Sequence, residues 1–339
     1  MKGAGDAVYV AADIGGTNAR LQAGTVEKGR ARRRSERVYE SAAADGMGPL
    51  LRRFASDCGF DLADVAALTL AVAGPVREGR AQLTNLPWAL DADELQRELD
   101  CGRVEIINDF VAAAHGLTEL ESTDLVPIQD GEQDPRGARV VLGAGTGLGV
   151  AALVPGADGF AAVASEAGHM DFAPRDDDQA RVADALQRRY GHVSCERLLS
   201  GPGLESIHAV LTGHEPESAP CSAEQITAAA QAGDADAGRA LRLFVGVYGA
   251  VAGNLALAFL ATGGVYLAGG IAPKIAAELG GPAFLQAFLD KGRFRELLGR
   301  MPVAVVTNSR IGLAGAAAHA ARAAYSSGMG MTRPSGSRS

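Results

Sequence analysis

Cysteine is scarce in this chain of 339 residues: Cys58, Cys101, Cys195 and Cys221, with no Cys-x-x-Cys among them. That spacing argues against a cysteine-built zinc site and against a disulfide framework. Basic residues are outnumbered, 32 Lys and Arg against 40 Asp and Glu, for a formal net charge of −8. A nucleic-acid binder normally shows a basic patch, so the balance argues against that class. It leaves an anionic small ligand open, because a nest of backbone N–H groups can bind phosphate on an acidic protein. Residues 1–6 lack the long apolar run of a signal peptide. No apolar stretch reaches the roughly 18 residues needed to span a bilayer without glycine breaks or charge. The most apolar region, 245–260, carries Gly246, Gly249, Gly253 and Asn254 and reads as a buried helix. A reduced, soluble, cytoplasmic protein with no membrane or nucleic-acid partner is the expectation.

What is present is a core. Hydrophobic residues make up 47% and charged residues 21%, and the length suits two domains. Residues 8–12 are an apolar run ending at Asp13; Ile14-Gly15-Gly16-Thr17-Asn18 is a turn, and 19–23 return as a strand. Residues 67–73 are a second strand, broken by Gly74-Pro75. Asp91 and Glu94 form a capping box that opens a helix through Leu99. Residues 104–107 are a β-branched strand that stops at Asn108-Asp109, with a helix over 110–117. A strand over 139–142 runs into a glycine-rich turn over 143–149 and returns over 150–154. This repeats the opening strand, Gly-Thr turn and strand about 130 residues later, roughly one domain length, and reads as a duplicated architecture. Residues 176–240 are mostly helical, with a loop at 213–222. Strands follow at 264–268, ending in Gly269-Gly270, and at 303–306. An Ala-rich helix covers 312–324, and 326–339 is expected to be a disordered polar tail. Strands alternating with helices give an α/β class.

Four groups of residues have chemistry to offer. In the first turn, Gly15 and Gly16 let the backbone come close to a ligand. Their N–H groups and the Thr17 hydroxyl can face phosphate oxygens, and Asp13, at the strand end, is placed to hold Mg²⁺ through water. A plain tight hairpin is an equal reading of that turn alone. It is not a P-loop, since no Gly-Lys-Ser/Thr occurs. The second turn, with Gly145 and Thr146, fails the Gly-x-Gly-x-x-Gly dinucleotide fingerprint. Its four glycines are costly to order, which weakens a purely structural reading. Two such turns suggest a pair of phosphate clamps. Asp109, just beyond a strand, can accept a proton from a sugar hydroxyl as that oxygen attacks phosphorus; read locally, Asp109 or Asn108 is simply a helix cap. Glu166, His169 and Glu196 offer the directed hydrogen bonds that a hexose needs; by default Glu196 is a surface residue paired with Arg197. His115, His192, His208, His214 and His319 read as structural or solvated.

Together these segments resemble the bacterial glucokinases of the hexokinase, heat-shock-protein and actin superfamily. The matching stretches are AADIGGTNARL at 11–21, TLAVAGPV at 69–76, LTNLPW at 83–88, IINDFVAAAHGL at 106–117, LGAGTGLGVAAL at 142–153, SEAGHMDFAP at 165–174, HVSCERLLSGPGL at 192–204 and VYLAGGIAPKI at 265–275. The resemblance implies two ribonuclease-H-like lobes around a cleft: a small discontinuous domain of 1–118 plus 311–330 and a large one of 119–310. It implies ATP with Mg²⁺ and transfer to the 6-hydroxyl of glucose. Asp109 falls on the catalytic base, and Asn108, Glu166, His169 and Glu196 on the sugar ligands. Gly15, Gly16, Thr17 and Asn18 fall on the first phosphate loop, Gly145 and Thr146 on the second, and Gly269 and Gly270 in the adenosine motif. Ala167 stands where a glycine is usual, which bears on the geometry of Glu166 and His169. The cysteine-rich zinc motif of the related repressor–kinase group is missing. A kinase for mannose or N-acetylmannosamine, or an inactive sugar-sensing regulator, is the alternative. The family is often dimeric, so a homodimer is an expectation from the resemblance alone.

Overall fold

Tyr9 and Ala11 point to one side of the first strand, Val10, Ala12 and Ile14 to the other, and all five are buried. A strand with both faces covered belongs in the middle of a sheet packed on two sides. The computed structural model describes residues 7–83, 86–157 and 159–328. The N-terminal residues 1–6, residues 84 and 85 of the 83–88 segment, and tail residues 329–339 lie outside the described residues. The chain divides into two units, Met1–Leu120 with Arg310–Ser339 and Glu121–Ser309.

In the first unit, β1 (Val8–Ile14), β2 (Asn18–Glu27) and β3 (Arg30–Glu40) form an antiparallel meander. α1 (Met47–Cys58) leads to β4 (Val65–Val72), parallel to β1. The short strands β5 (Val76–Arg77), β6 (Arg80–Gln82) and β7 (Ala89–Asp91) make a separate sheet. α2 (Ala92–Leu99) then leads to β8 (Arg103–Asn108), parallel to β4, and α3 (Asp109–Gly116) follows at once. The main sheet runs β3-β2-β1-β4-β8. Asp91 starts α2 and makes the forward half of the expected capping box: Oδ1 accepts the N–H groups of Asp93 and Glu94, both at 3.0 Å.

The second unit repeats the plan. β9 (Leu125–Gln129) comes first; β10 (Arg139–Ala144), β11 (Leu148–Gly156) and β12 (Gly159–Ser165) are the meander. Helices α4 (Asp177–Tyr190), α5 (Gly201–Leu211), α6 (Ala223–Gln231) and α7 (Ala235–Phe259) precede β13 (Gly264–Ala268), parallel to β10. α8 (Ala276–Leu279), α9 (Pro282–Leu289) and α10 (Arg295–Gly299) precede β14 (Val303–Val306), parallel to β13. The sheet runs β12-β11-β10-β13-β14-β9. A meander whose first strand then takes two parallel strands on its open side thus occurs twice, with β9 added at one edge of the second copy.

α7 is long and apolar enough to cross a membrane by length and composition, but 78% of its most apolar window is buried inside the protein. Gly249 and Gly253 explain how closely it is packed. A side chain at Gly249 would collide with the Phe284 carbonyl oxygen, and one at Gly253 would come within 2.5 Å of that of Phe288. α7 and α9 therefore touch backbone to backbone.

α11 (Ile311–Gly328) returns to the first unit and buries Leu313, Ala316, Ala317, Ala320, Ala321 and Ala324 against the Tyr9–Ala11 side of the sheet. The other side is covered by Leu50, Leu51 and Phe54 of α1 and Leu95 and Leu99 of α2. A disordered tail was expected from residue 326, but α11 runs on to Gly328, so 326–328 are helical; the rest of that segment lies outside the described residues. After Gly315 no proline or glycine interrupts the run before Gly328, and serine costs a helix end little. β3 was not foreseen either, because its Arg-rich sequence lacks an apolar face.

Candidate active site

β1 and β2 are joined by the first glycine turn, which the Gly15 N–H closes on the Asn18 carbonyl at 3.0 Å. Thr17 and Asn18 are exposed, while Gly15 and Gly16 are half-buried. Asp13 leaves β1 one residue before its end and faces the start of α11: a side chain on Gly312 would come within 3.2 Å of Asp13 Oδ2. A helix N-terminus favours a carboxylate. Burial nevertheless pushes the Asp13 pKa above the ordinary range, and Arg20 draws it partly back.

Asn108 and Asp109 stand at the carboxyl end of β8, beside the end of β4, where Val72 pairs with Asn108. The helix cap proves to be Asn108. Its Oδ1 accepts the N–H groups of Phe110 at 2.9 Å and Val111 at 3.3 Å, and its Nδ2 donates to the Gly74 carbonyl at 3.1 Å. Those bonds join the break after β4 to the start of α3. Asp109, in the first turn of α3, also accepts the Phe110 N–H, at 2.9 Å, and is half-buried.

In the second unit the glycine turn between β10 and β11 is closed by Gly145 N–H to the Gly147 carbonyl at 2.8 Å. Three neighbours converge on it. The Gly145 carbonyl accepts the Gly201 N–H, at the first position of α5, at 2.8 Å. Gly269, at φ +82°, leaves only 2.6 Å between an added Cβ and the Ala144 carbonyl oxygen, so Gly269-Gly270 lies against the end of β10. Glu196 Oε2 accepts the Leu148 N–H at 2.9 Å. Glu196 has no ion pair with Arg197, whose guanidinium lies 3.8 Å from the centroid of the Tyr190 ring.

Glu166 and His169 flank the 3₁₀ turn Ala167–His169, and both are exposed. Gly168 packs so tightly on the Leu148 carbonyl that no side chain fits there. Ala167, by contrast, is buried in the core with room for its methyl; the departure at this position falls on the tolerant member of the pair. The Cys195 N–H donates to the Met170 carbonyl at 2.8 Å, and Asp171 pairs with Ser194. These bonds bring the Glu166–His169 turn beside the Cys195–Arg197 turn that carries Glu196. The second unit thus gathers Glu166, His169, Glu196, Gly145, Thr146, Gly269 and Gly270 at one end of its sheet. The first gathers Asp13, Gly15, Gly16, Thr17 and Asn18 at one turn and holds Asn108 and Asp109 two strands away.

The start of α5 was missed as part of this cluster. Ser200 caps it, accepting the Gly203 N–H at 3.1 Å and donating to the Glu196 carbonyl at 2.9 Å. The signal lay in Ser200-Gly201-Pro202, a capping residue followed by proline in the first turn. A cavity of about 570 Å³ elsewhere in the unit, lined by Arg175, Arg239, Arg242 and Asp290, contains none of these residues.

The two sheets, each a meander with two parallel strands added, give the chain the actin-like kinase fold. A sequence model described as Glucokinase matches residues 10–323. The chain is 39% identical to a glucokinase of Synechocystis sp., over 93% of this chain and 98% of that one. Among solved structures it superposes on a glucokinase from an Antarctic psychrotroph with a TM-score of 0.83, at 33% identity, covering 93% and 98% of the two chains. It also superposes on a ROK family glucokinase from Streptomyces griseus in complex with glucose and AMPPNP, at 22% identity and a TM-score of 0.56, covering 92% and 99%. This chain belongs to the glucokinase family.

Proposed function

We propose that the protein phosphorylates the 6-hydroxyl of glucose at the expense of ATP, with Asp109 as general base. The observation that carries the assignment of the base is the division of labour at the end of β8. Asn108 caps α3 with its side-chain oxygen, so capping is not what requires an aspartate at the next position. Asp109 takes the proton from the 6-hydroxyl as that oxygen attacks the γ-phosphorus. Glu166, His169 and Glu196 hold the sugar hydroxyls, with Asn108 contributing its remaining amide hydrogen. Gly15 and Gly145 use their own N–H groups to close the two turns, so the N–H groups of Gly16, Thr17 and Thr146 and the threonine hydroxyls meet the phosphates, and Gly270, with open space around it, leaves room for the adenosine beside Gly269.

Among the described residues no group of three or more His, Cys, Asp or Glu side chains forms a metal cage. One half-buried carboxylate, Asp13, at the end of β1 suits Mg²⁺, which keeps several waters and relies on substrate phosphates for the rest of its shell. Bound there, the ion would offset phosphate charge. A cytoplasmic homodimer accompanies the reading, and light scattering measures the second part of it.

Asp109→Asn tests the assignment. Glucose affinity by calorimetry should stay near that of the parent, while kcat falls by roughly 10²–10⁴. Near-normal turnover would remove Asp109 from the role. A panel of hexoses run with the parent enzyme separates glucose from mannose and N-acetylmannosamine as substrate.

A further inference from the structure

Ser41 follows β3 directly and is fully buried, yet it lies in a chain segment to which no role has been given. Both of its donors are used on the first glycine turn. The Ser41 hydroxyl donates to the Gly15 carbonyl at 2.9 Å, and its N–H donates to the Thr17 carbonyl at 2.9 Å. The turn is thus gripped on both sides of Gly16 by one residue 24 or more positions downstream.

The direction of those bonds has a consequence. In a trans peptide the C=O and the following N–H point opposite ways. Holding the Gly15 carbonyl toward Ser41 turns the Gly16 N–H to the other side of the turn. Holding the Thr17 carbonyl fixes the far flank, so the Gly15-Gly16-Thr17 backbone cannot swivel between the two anchors. Glycine needs such a clamp more than other residues, because its backbone has the most freedom to lose. Donors that are already oriented lose little on meeting an anion.

We propose that Ser41 is a positioning residue for the nucleotide phosphates: it holds the first glycine turn with the Gly16 N–H aimed at them. The inference rests on the reading of that turn as a phosphate loop. Ser41 touches neither substrate itself. Ser41→Ala leaves the half-buried Gly15 carbonyl without its donor and lets the Gly15-Gly16 peptide rotate.

The test is calorimetric titration of the full-length protein with AMP-PNP and, separately, with adenosine. For Ser41→Ala, AMP-PNP affinity should fall about fivefold to tenfold, the scale of one net hydrogen bond. Adenosine affinity and the KM for glucose should hold within about twofold. Ser41→Cys, close in shape but a weaker donor, should fall between parent and alanine variant, and it carries the test if the alanine variant does not fold. Thr17→Val probes the turn independently. If Thr17→Val weakens AMP-PNP binding and neither Ser41 variant does, the positioning role is wrong and the phosphate-loop reading stands. If none of the three variants changes it, both fall. Equal loss of adenosine and AMP-PNP on Ser41→Ala would mark a general structural defect and overturn the proposal.

Discussion

Glu196 Oε2 accepts the Leu148 N–H at 2.9 Å, and it lies 2.5 Å from where a Cβ on Gly147 would be. A residue assigned to the sugar therefore also braces the second glycine turn. Glu196→Ala should raise the KM for glucose and for ATP together, since it removes a sugar ligand and leaves the Leu148 N–H without its acceptor. Glu196→Gln keeps an oxygen for Leu148, so it should raise the KM for glucose with a much smaller effect on ATP. Steady-state kinetics with each substrate varied in turn measures both. Equal behaviour of the two variants toward ATP would show that the brace is unimportant.

Gly315 lets α11 lie on α3: a side chain there would run into the Ala112 carbonyl, as one on Gly116 would run into that of Ile311. Gly315→Ala must push the helices apart, at a cost of about 1–3 kcal/mol for overpacking. Chemical denaturation should report that loss. Because α3 begins at Asp109, kcat should fall as well, although Gly315 touches no substrate. Unchanged stability would mean that the helices separate freely.

Asp13 has its pKa raised, chiefly by burial. A carboxylate whose folded pKa exceeds its unfolded value adds stability below the unfolded pKa, and that contribution is lost as pH rises through the folded one. Asp13→Asn should then melt at or above the parent temperature at pH 7, while turnover falls. The difference in melting temperature should shrink as pH drops below the carboxylate range. A variant less stable than the parent at pH 7 would indicate that the start of α11 stabilises the ionised form more than burial opposes it.

His115 is buried on α3 and accepts from Arg322 Nη2 through Nδ1 at 2.7 Å. Burial, then His319 and Arg322, hold its pKa down to about 3. The unfolded chain therefore takes up a proton that the folded one refuses. The resulting stability is complete above the unfolded value near 6.5 and drains away as pH falls toward 3. Between pH 7 and 5 the parent should lose melting temperature faster than His115→Gln. Parallel slopes would count against a neutral buried imidazole.

Both glycine turns were legible because each interrupts an apolar run, and the Asn108-Asp109 pair because it ends one. The α/β class followed from the same alternation. β3 was invisible: Arg30–Glu40 has arginine at five of its eleven positions and forms a sheet edge, where charge prevents further pairing and hides the strand from any hydrophobic pattern. The Glu196–Leu148 bond joins residues 48 apart through a main-chain donor, and main-chain partners leave no mark on side-chain identity. Ser41 escaped for the same reason, since both of its acceptors are carbonyls.

The contact of α7 with α9 bears on how this enzyme can be engineered for heat. Replacing helical glycines by alanine is a standard route to stabilisation, with a gain of about 0.4–1 kcal/mol where the site permits. At Gly249 and Gly253 the route is closed, because the neighbouring backbone fills the space a methyl would take. One turn earlier, at Gly246, the nearest atom is the Ala283 carbonyl oxygen, 3.9 Å from an added Cβ. Three glycines of one helix thus divide into two that the packing dictates and one that a protein engineer is free to change.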